Sequence, residues 1–217
     1  MKRKFAIIGL GRFGTTIALE LARQGHEVLA VDQDRRRVDD VVDRVTHAVI
    51  ASAEDERALR ELDLASYDAA VVSIGENIEA SILCSLLVKD LGVKEVWAKA
   101  VSHHHHRILA KLGIHRIVHP EFEMGMRVAQ ALNYPQVMDY ISLGHDQYVV
   151  EVRASERVAG KTLAQMEYAE RLHITLLSVK RDHDLNVLPP ADWRLETGDQ
   201  LLFVGELGNL RLLSSEL

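Results

Sequence analysis

FAIIGLGRFGTTIALELARQGHEVLAVD, residues 5–32, holds the pattern that decides the fold. An apolar run ends in the glycine-rich turn Gly9-Leu10-Gly11-Arg12-Phe13-Gly14. An amphipathic stretch follows, closed by Gly25, and a second apolar run then ends on Asp32. That order is strand, turn, helix, strand, the context in which G-x-G-x-x-G has a mechanism rather than being a chance run of glycines. Gly9 permits the tight turn, Gly11 lets a diphosphate approach the backbone, and Gly14 lets the helix pack close against the strand. The free N–H groups and positive dipole end of the helix suit phosphate. Asp32, at the tip of the second strand, is placed to accept hydrogen bonds from adenosine ribose hydroxyls and to repel a 2′-phosphate, which disfavours NADP. Its removal is expected to weaken nucleotide binding while leaving the phosphate loop intact.

Outward from this unit the same rhythm continues. Strands are predicted over 5–8, 27–31, 47–50, 69–73, 95–98 and 116–118, alternating with helices near 12–24, 35–43, 55–62, 77–91, 103–112 and 122–132. Such alternation specifies an α/β, Rossmann-type doubly wound parallel sheet. Gly25, Gly92 and Gly113 each follow an apolar-periodic stretch, where a left-handed cap suits a residue without Cβ. Beyond about residue 138 the rhythm changes to short strands over 148–153, 174–181, 186–188 and 201–204, punctuated by Gly160, Pro189-Pro190 and Thr197-Gly198-Asp199. We therefore expect a nucleotide-binding domain over 1–138 and a small α+β lobe over 139–217, joined near Asn133-Tyr134-Pro135, since the residue before a proline is biased out of the helical region.

The 217 residues carry 26 Lys+Arg against 32 Asp+Glu, a formal charge of −6. This argues against a protein needing a basic field for nucleic acid. Charged residues interrupt every apolar run short of the roughly 18 residues of a membrane span, and Arg12 and Glu20 interrupt what would be the apolar region of a signal peptide. The start reads as the first strand of a cytosolic protein. Cys84, with apolar neighbours, reads as a small core residue.

In a doubly wound sheet the ligand crevice opens at the carboxyl ends of strands one and four. The loop carrying Ile74, Gly75 and Asn77 should face the Gly9–Gly14 loop, and Ser52-Ala53-Glu54 should lie near the base, although a helix cap explains that stretch almost as well. Arg12 and Lys99 are charges able to face the crevice. The run Arg35-Arg36-Arg37 reads as a solvated helix face. Ser102 caps the helix opened by His103-His104-His105-His106, whose rings point around the helix rather than at one ion. Glu121 admits two readings, a first-turn acid that complements the helix dipole or a carboxylate aimed at a divalent ion on a nucleotide phosphate.

FAIIGLGRFGTTIALELARQGHEVLAVDQD, THAVIASAEDERAL, VVSIGENIEASIL, VWAKA and RIVHPEFEMGMRVAQ, in that order and spacing, resemble the RCK proteins, regulators of potassium conductance. They are similar in particular to the cytosolic gating subunit of Ktr-type bacterial potassium transporters, whose close relative is the NAD-binding Trk regulatory subunit. Val158-Ala159-Gly160-Lys161-Thr162-Leu163 and Thr197-Gly198-Asp199-Gln200-Leu201 resemble the companion RCK-C module.

The resemblance implies a regulator rather than an enzyme, cytoplasmic and held at the inner face of the membrane by a membrane-embedded potassium translocating subunit. It also implies a homodimer assembling into an octameric ring. ATP and ADP would compete for the crevice. Gly9, Gly11, Phe13 and Gly14 would form the phosphate loop, Asp32 would hold ribose, Arg12 would meet the terminal phosphate, and Glu121 would bind Mg2+ or another cation bridging the dimer. Ser52, Ala53, Glu54, Ile74, Gly75, Asn77 and Lys99 would line the pocket. Ile174 and Pro190 would floor a cyclic di-AMP site in the C-terminal lobe. NAD(H) is the alternative ligand, and an NAD-dependent oxidoreductase the rival reading, although hydride transfer needs an acid–base group opposite the nicotinamide that the small second lobe does not obviously offer.

Overall fold

A computed structural model describes residues 1–133 and 137–216, which form two compact units, Met1–Phe122 and Glu123–Leu217. In the first, β1 (Lys4–Ile8), α1 (Arg12–Arg23), β2 (Glu27–Asp32), α2 (Arg35–Asp39), β3 (His47–Ile50), α3 (Glu56–Glu61), β4 (Ala69–Val72), α4 (Ile78–Asp90), β5 (Val96–Lys99), α5 (His103–Lys111) and β6 (Arg116–Val118) alternate strictly. The six strands lie in the order β3-β2-β1-β4-β5-β6, and every pairing is parallel. The order reverses between β1 and β4, as the sequence predicts.

A parallel sheet covered on both faces needs apolar residues at successive positions. Ala6 and Ile8 pack on one side with Leu29, Val31, Val72, Cys84, Val88 and Leu109; Ile7 packs on the other with Val28, Ala30, Ala18 and Val38. Thus α4 and α5 cover one face while α1 and α2 cover the other. Cys84 is fully buried, and burial pushes its thiol up to about 12. Gly25, Gly92 and Gly113 take positive φ of 85°, 86° and 70° at their expected helix ends. The helix expected over 35–43 instead breaks after Asp39 into a separate 3-10 turn at Val42–Arg44. Asp39-Asp40 followed by β-branched Val41 and Val42 resists helix propagation.

The helix α6 (Pro120–Asn133) leads to the second unit. There follow β7 (Val137–Gly144), β8 (Gln147–Arg153), α7 (Leu163–Met166), α8 (Tyr168–Leu172), β9 (Thr175–Arg181), β10 (Asp184–Val187), β11 (Gln200–Glu206) and α9 (Leu207–Glu216). Tyr134 and Pro135 of the expected junction lie outside the described residues. The sheet order is β10-β9-β11-β8-β7, all antiparallel. Its core gathers Val150, Val152, Val179, Leu201 and Phe203 with Leu210 and Leu213 of α9.

Strand β7 and helix α9 extend the sequence reading. The β7–β8 hairpin turns on His145 and Asp146, with φ of 51° and 60°. These left-handed residues are not the Asn-Gly or Asp-Gly pair that advertises such a turn.

Candidate functional site

The helix α1 starts differently from its neighbours. Asp34, Asp55, Asn77 and Ser102 cap α2, α3, α4 and α5, each accepting a backbone N–H from the first turn. Gly11, at the same position of α1, supplies no side-chain cap. The first N–H groups of that helix are left for something else to satisfy. A Cβ on Gly11 would meet nothing within 4 Å, so the space beside it is open. Gly9 and Gly14 are glycines for another reason. A Cβ on Gly14 would collide with Gly9 O and Ser73 Oγ, and Gly9 has φ +97° with Ile74 at 3.2 Å from its Cβ position. Ser73 Oγ donates to Gly9 O at 2.5 Å, fixing the loop against the end of β4.

Asp32 is 7% exposed and works on the loop as well as beside it. Its Oδ2 accepts Leu10 N–H at 2.6 Å, and its Oδ1 accepts Asp34 N–H at 2.8 Å. This corrects the expectation that removing Asp32 leaves the phosphate loop intact: the carboxylate anchors that loop. An ionised carboxylate offers about four lone-pair positions, so two acceptor directions remain for ribose hydroxyls.

At the opposite end of the crevice, Lys99 Nζ donates to Glu121 Oε1 at 2.5 Å, with the Lys99 side chain only 12% exposed. The Lys99 ammonium holds the Glu121 carboxyl below the usual carboxylate range, and the Arg12 guanidinium pulls in the same direction. Lys99 Nζ also lies 3.2 Å from the Cβ position of Gly75. Lys99 thus links Glu121 to Gly75 on this side of the crevice, and Ile74 lies against Gly9, whose neighbour Leu10 is held by Asp32. Arg12 itself is exposed and Phe13 half-buried.

Other expected residues are less engaged. Asn77 is exposed and spends its Oδ1 on capping Ala80 N–H at 3.1 Å. Ser52 accepts Glu54 N–H at 3.2 Å, beside a β3 end tied to β2 by Ala51 N–H to Asp32 O; Ala53 packs against the core and Glu54 is exposed. In the second unit Ile174 is 1% exposed against Gly205, and Pro190 is exposed.

The arginine run is not wholly solvated, which corrects its reading as an open helix face. Arg37 lies 3.6 Å from Asp32 Oδ2 and donates to Glu76 Oε1 at 3.1 Å, and Glu76 followed by the other acids raises its pKa. Sequence reasoning missed it because nothing in three consecutive arginines says which one turns inward. The available signal was helical spacing, which puts Arg37 three residues from the N-cap Asp34.

Among the four histidines, Ser102 Oγ accepts His105 N–H at 3.1 Å, as expected. His105 is 1% exposed, and His106 Nδ1 meets His119 Nε2 at 2.7 Å. Among the described residues no cluster of three or more His, Cys, Asp or Glu is arranged to hold a metal ion. No described helix is long and apolar enough to cross a membrane.

The chain matches the TrkA-N domain over residues 5–120 and the TrkA-C domain over 148–217. It is 37% identical over 214 residues to Ktr system potassium uptake protein A of Bacillus subtilis, covering 99% of this chain and 96% of the relative. This chain belongs to the Ktr/TrkA family of RCK potassium uptake proteins. Another Ktr/TrkA relative, Ktr system potassium uptake protein C of the same bacterium, is 38% identical over 210 residues, 97% of this chain and 95% of the relative. The solved GsuK channel bound to NAD shares the fold, with a TM-score of 0.65 and 18% identity; the match covers 100% of this chain and 39% of the channel chain. The Rossmann-type sheet and antiparallel lobe described above are thus the two parts of a known Ktr/TrkA architecture.

Proposed function

We propose that this Ktr/TrkA chain is the cytosolic nucleotide-sensing subunit of a potassium uptake transporter, and that ATP and ADP compete for the crevice of its first unit. The observation that carries the reading is the uncapped start of α1 beside open space at Gly11, with a buried carboxylate at one end of the crevice and Arg12, Lys99 and Glu121 at the other. An anion at a helix N-terminus satisfies N–H groups that α2 to α5 satisfy with side chains. The donor set fits a nucleotide: Gly9, Gly11 and Gly14 would carry its phosphates and Asp32 its ribose. The solved NAD-bound channel of the same fold supports NAD(H) as the second candidate, since the adenosine half is common to all these ligands.

Arg12 would read the terminal phosphate, because a guanidinium gains charge-assisted bonds from it that the ribose end cannot supply. Glu121 would complete a Mg2+ site together with a phosphate, hard oxygens being what that ion takes. It requires Glu121 to exchange Lys99 for the cation. A ligand shifts a conformational equilibrium only through its different affinity for the two states. An Arg12 contact worth about 2–3 kcal/mol in one state alone would shift that balance roughly 30- to 150-fold, enough to open or close an attached pore.

Association of copies into a homodimer and an octameric ring has its support in exposed apolar residues along α6, where Phe122, Met124, Met126, Val128 and Leu132 are 44–78% exposed. The role assigned is binding and gating, with no catalysed reaction. Calorimetric titration with ATP, ADP, NAD and NADH, with and without Mg2+, tests the reading. Arg12→Ala is expected to weaken ATP more than ADP, and Glu121→Gln to reduce the Mg2+ dependence of ATP binding. Absence of binding by all four nucleotides would refute it, and sustained substrate-dependent NADH turnover would replace the sensor with an oxidoreductase.

A further inference from the structure

Arg37 lies across the adenosine end of the crevice. From the first turns of α2, its guanidinium stands 3.6 Å from Asp32 Oδ2, 3.9 Å from Asp34 Oδ2 and 3.1 Å from Glu76 Oε1. It therefore links the segment after β2 to the loop after β4. Both Asp32 oxygens already accept backbone N–H groups, and Arg37 stands beside the one that also takes Leu10 N–H. A ribose hydroxyl bonding to Asp32 would place its oxygen close to this guanidinium. Any group carried on the 2′-oxygen would meet it directly.

An arginine in this position is the usual cation for a 2′-phosphate, through the paired donors of its planar fork. Here the cation is already committed. Three carboxylates surround one guanidinium, so the locality stays negative, and its Nη2 donates to Glu76 while its Nη1 faces Asp32. The Arg37 side chain is 38% exposed and that of Glu76 is 86% exposed. A pair so exposed adds little to folding stability. Its consequence is for charge: it decides whether a free guanidinium faces the ribose.

Resting on the nucleotide reading above, we propose that the Arg37–Glu76 pair sets specificity at the 2′ position of the adenosine ligand, Glu76 being the positioning residue that withholds the Arg37 charge. The site takes adenosine with a free 2′-hydroxyl and rejects the 2′-phosphorylated form. Asp32 contributes repulsion, and Glu76 prevents Arg37 from compensating for it.

The test is calorimetric titration of the full chain with ADP and with adenosine 2′-phosphate 5′-diphosphate, which differs from it only by the 2′-phosphate, read as the ratio of the two affinities. Damage to the fold lowers both affinities and leaves the ratio alone. Wild-type protein is expected to favour ADP strongly, and Glu76→Gln to narrow the preference about tenfold by freeing a charge-assisted contact to the 2′-phosphate. Adding Arg37→Met to Glu76→Gln should restore the wild-type preference, whereas Glu76→Asp should stay near wild type. Binding of ADP with a ratio unmoved by Glu76→Gln would overturn this assignment alone. So would a narrowed ratio that survives Arg37→Met. Wild-type protein that binds neither ligand would overturn the nucleotide reading and this inference with it.

Discussion

The two sheets of the chain solve the same burial problem in opposite ways. In the first unit the parallel interior strands are covered on both faces, so β4 is buried at all four positions and β2 at all but its first. In the second, β11 alternates half-buried and buried along most of its length, as an antiparallel strand with one face toward the core does. Parallel strands also send their carboxyl ends to one edge, which gathers Gly9, Asp32, Ile74 and Lys99 from four separate segments into one crevice. Antiparallel strands reverse direction, so charged residues cluster where side chains happen to meet across neighbours. Arg181 and Asp199 are such a cluster. In the first unit close backbone packing is most critical for the site, while in the second a paired charge is the point of greatest sensitivity.

The largest effect should come from Gly14→Ala. Its methyl group would overlap Gly9 O and Ser73 Oγ; the hydroxyl can rotate away only by giving up its bond to Gly9 O, and the Gly9 carbonyl cannot move without dragging the end of β1 with it. Overpacking usually costs about 1–3 kcal/mol and more where backbone must shift, so we expect the upper end, read as a lowered denaturation midpoint. Gly11→Ala meets open space and should leave that midpoint within about 0.5 kcal/mol, a typical surface effect, while weakening nucleotide binding. Equal destabilisation by the two substitutions would erase the distinction between a packing glycine and a pocket glycine.

Next is Arg181→Ala. Asp199 is 2% exposed, and Arg181 reaches both its oxygens at 2.8 Å while also bonding Glu196 and Arg194 O. Burial works against the Asp199 charge, yet Arg181 and the Glu196 N–H outweigh it and hold the carboxyl below its ordinary value. Leaving that charge without its fork should cost about 3 kcal/mol in chemical denaturation. Arg181→Lys should recover little, since an ammonium lacks the planar pair of donors. None of these partners lies in the crevice, so ADP affinity of the folded protein should not change.

Asp32→Ala comes third. It removes a ribose acceptor and also the anchor of Leu10 N–H, so it should weaken ADP binding by roughly 1.5–3 kcal/mol and lower stability by about 1 kcal/mol. Asp32→Asn keeps an acceptor for Leu10 and should recover stability more than affinity. Loss of affinity with unaltered stability would mean the loop does not depend on this carboxylate.

These cases show what the sequence could and could not disclose. The strand order, the glycine loop and Asp32 were legible because each rests on a backbone constraint that only certain residues satisfy. Arg37 and Glu76 were not, since a long side chain on a charged helix turn can lie in solvent or reach a carboxylate without changing the local pattern. The β7 strand escaped because its turn uses His145 and Asp146 at positive φ, which only the folded backbone discloses. Helix α9 escaped because Leu207-Gly208-Asn209-Leu210-Arg211-Leu212-Leu213 mixes apolar positions that face the core, Leu210 and Leu213, with an exposed Leu212, which blurs the period.

The smallest effect we expect is a pH dependence confined to the first unit. His105 is 1% exposed, Val101 N–H donates to its Nδ1 at 3.4 Å, and its Nε2 has no hydrogen-bond partner among the described residues. Burial first, and then the nearby His119, push its pKa below the ordinary value. The folded chain therefore favours the neutral ring, whereas the unfolded chain takes up a proton near pH 6.5. Because the unfolded state binds more protons, stability is complete above about pH 6.5 and is lost as pH falls from there toward the depressed folded value. Denaturation midpoints measured between pH 7.5 and 5 should fall on the acid side for wild type. His105→Leu should flatten part of that fall. A pH profile unchanged by His105→Leu would mean that the buried ring is protonated in the folded chain, with its Nε2 hydrogen satisfied by solvent.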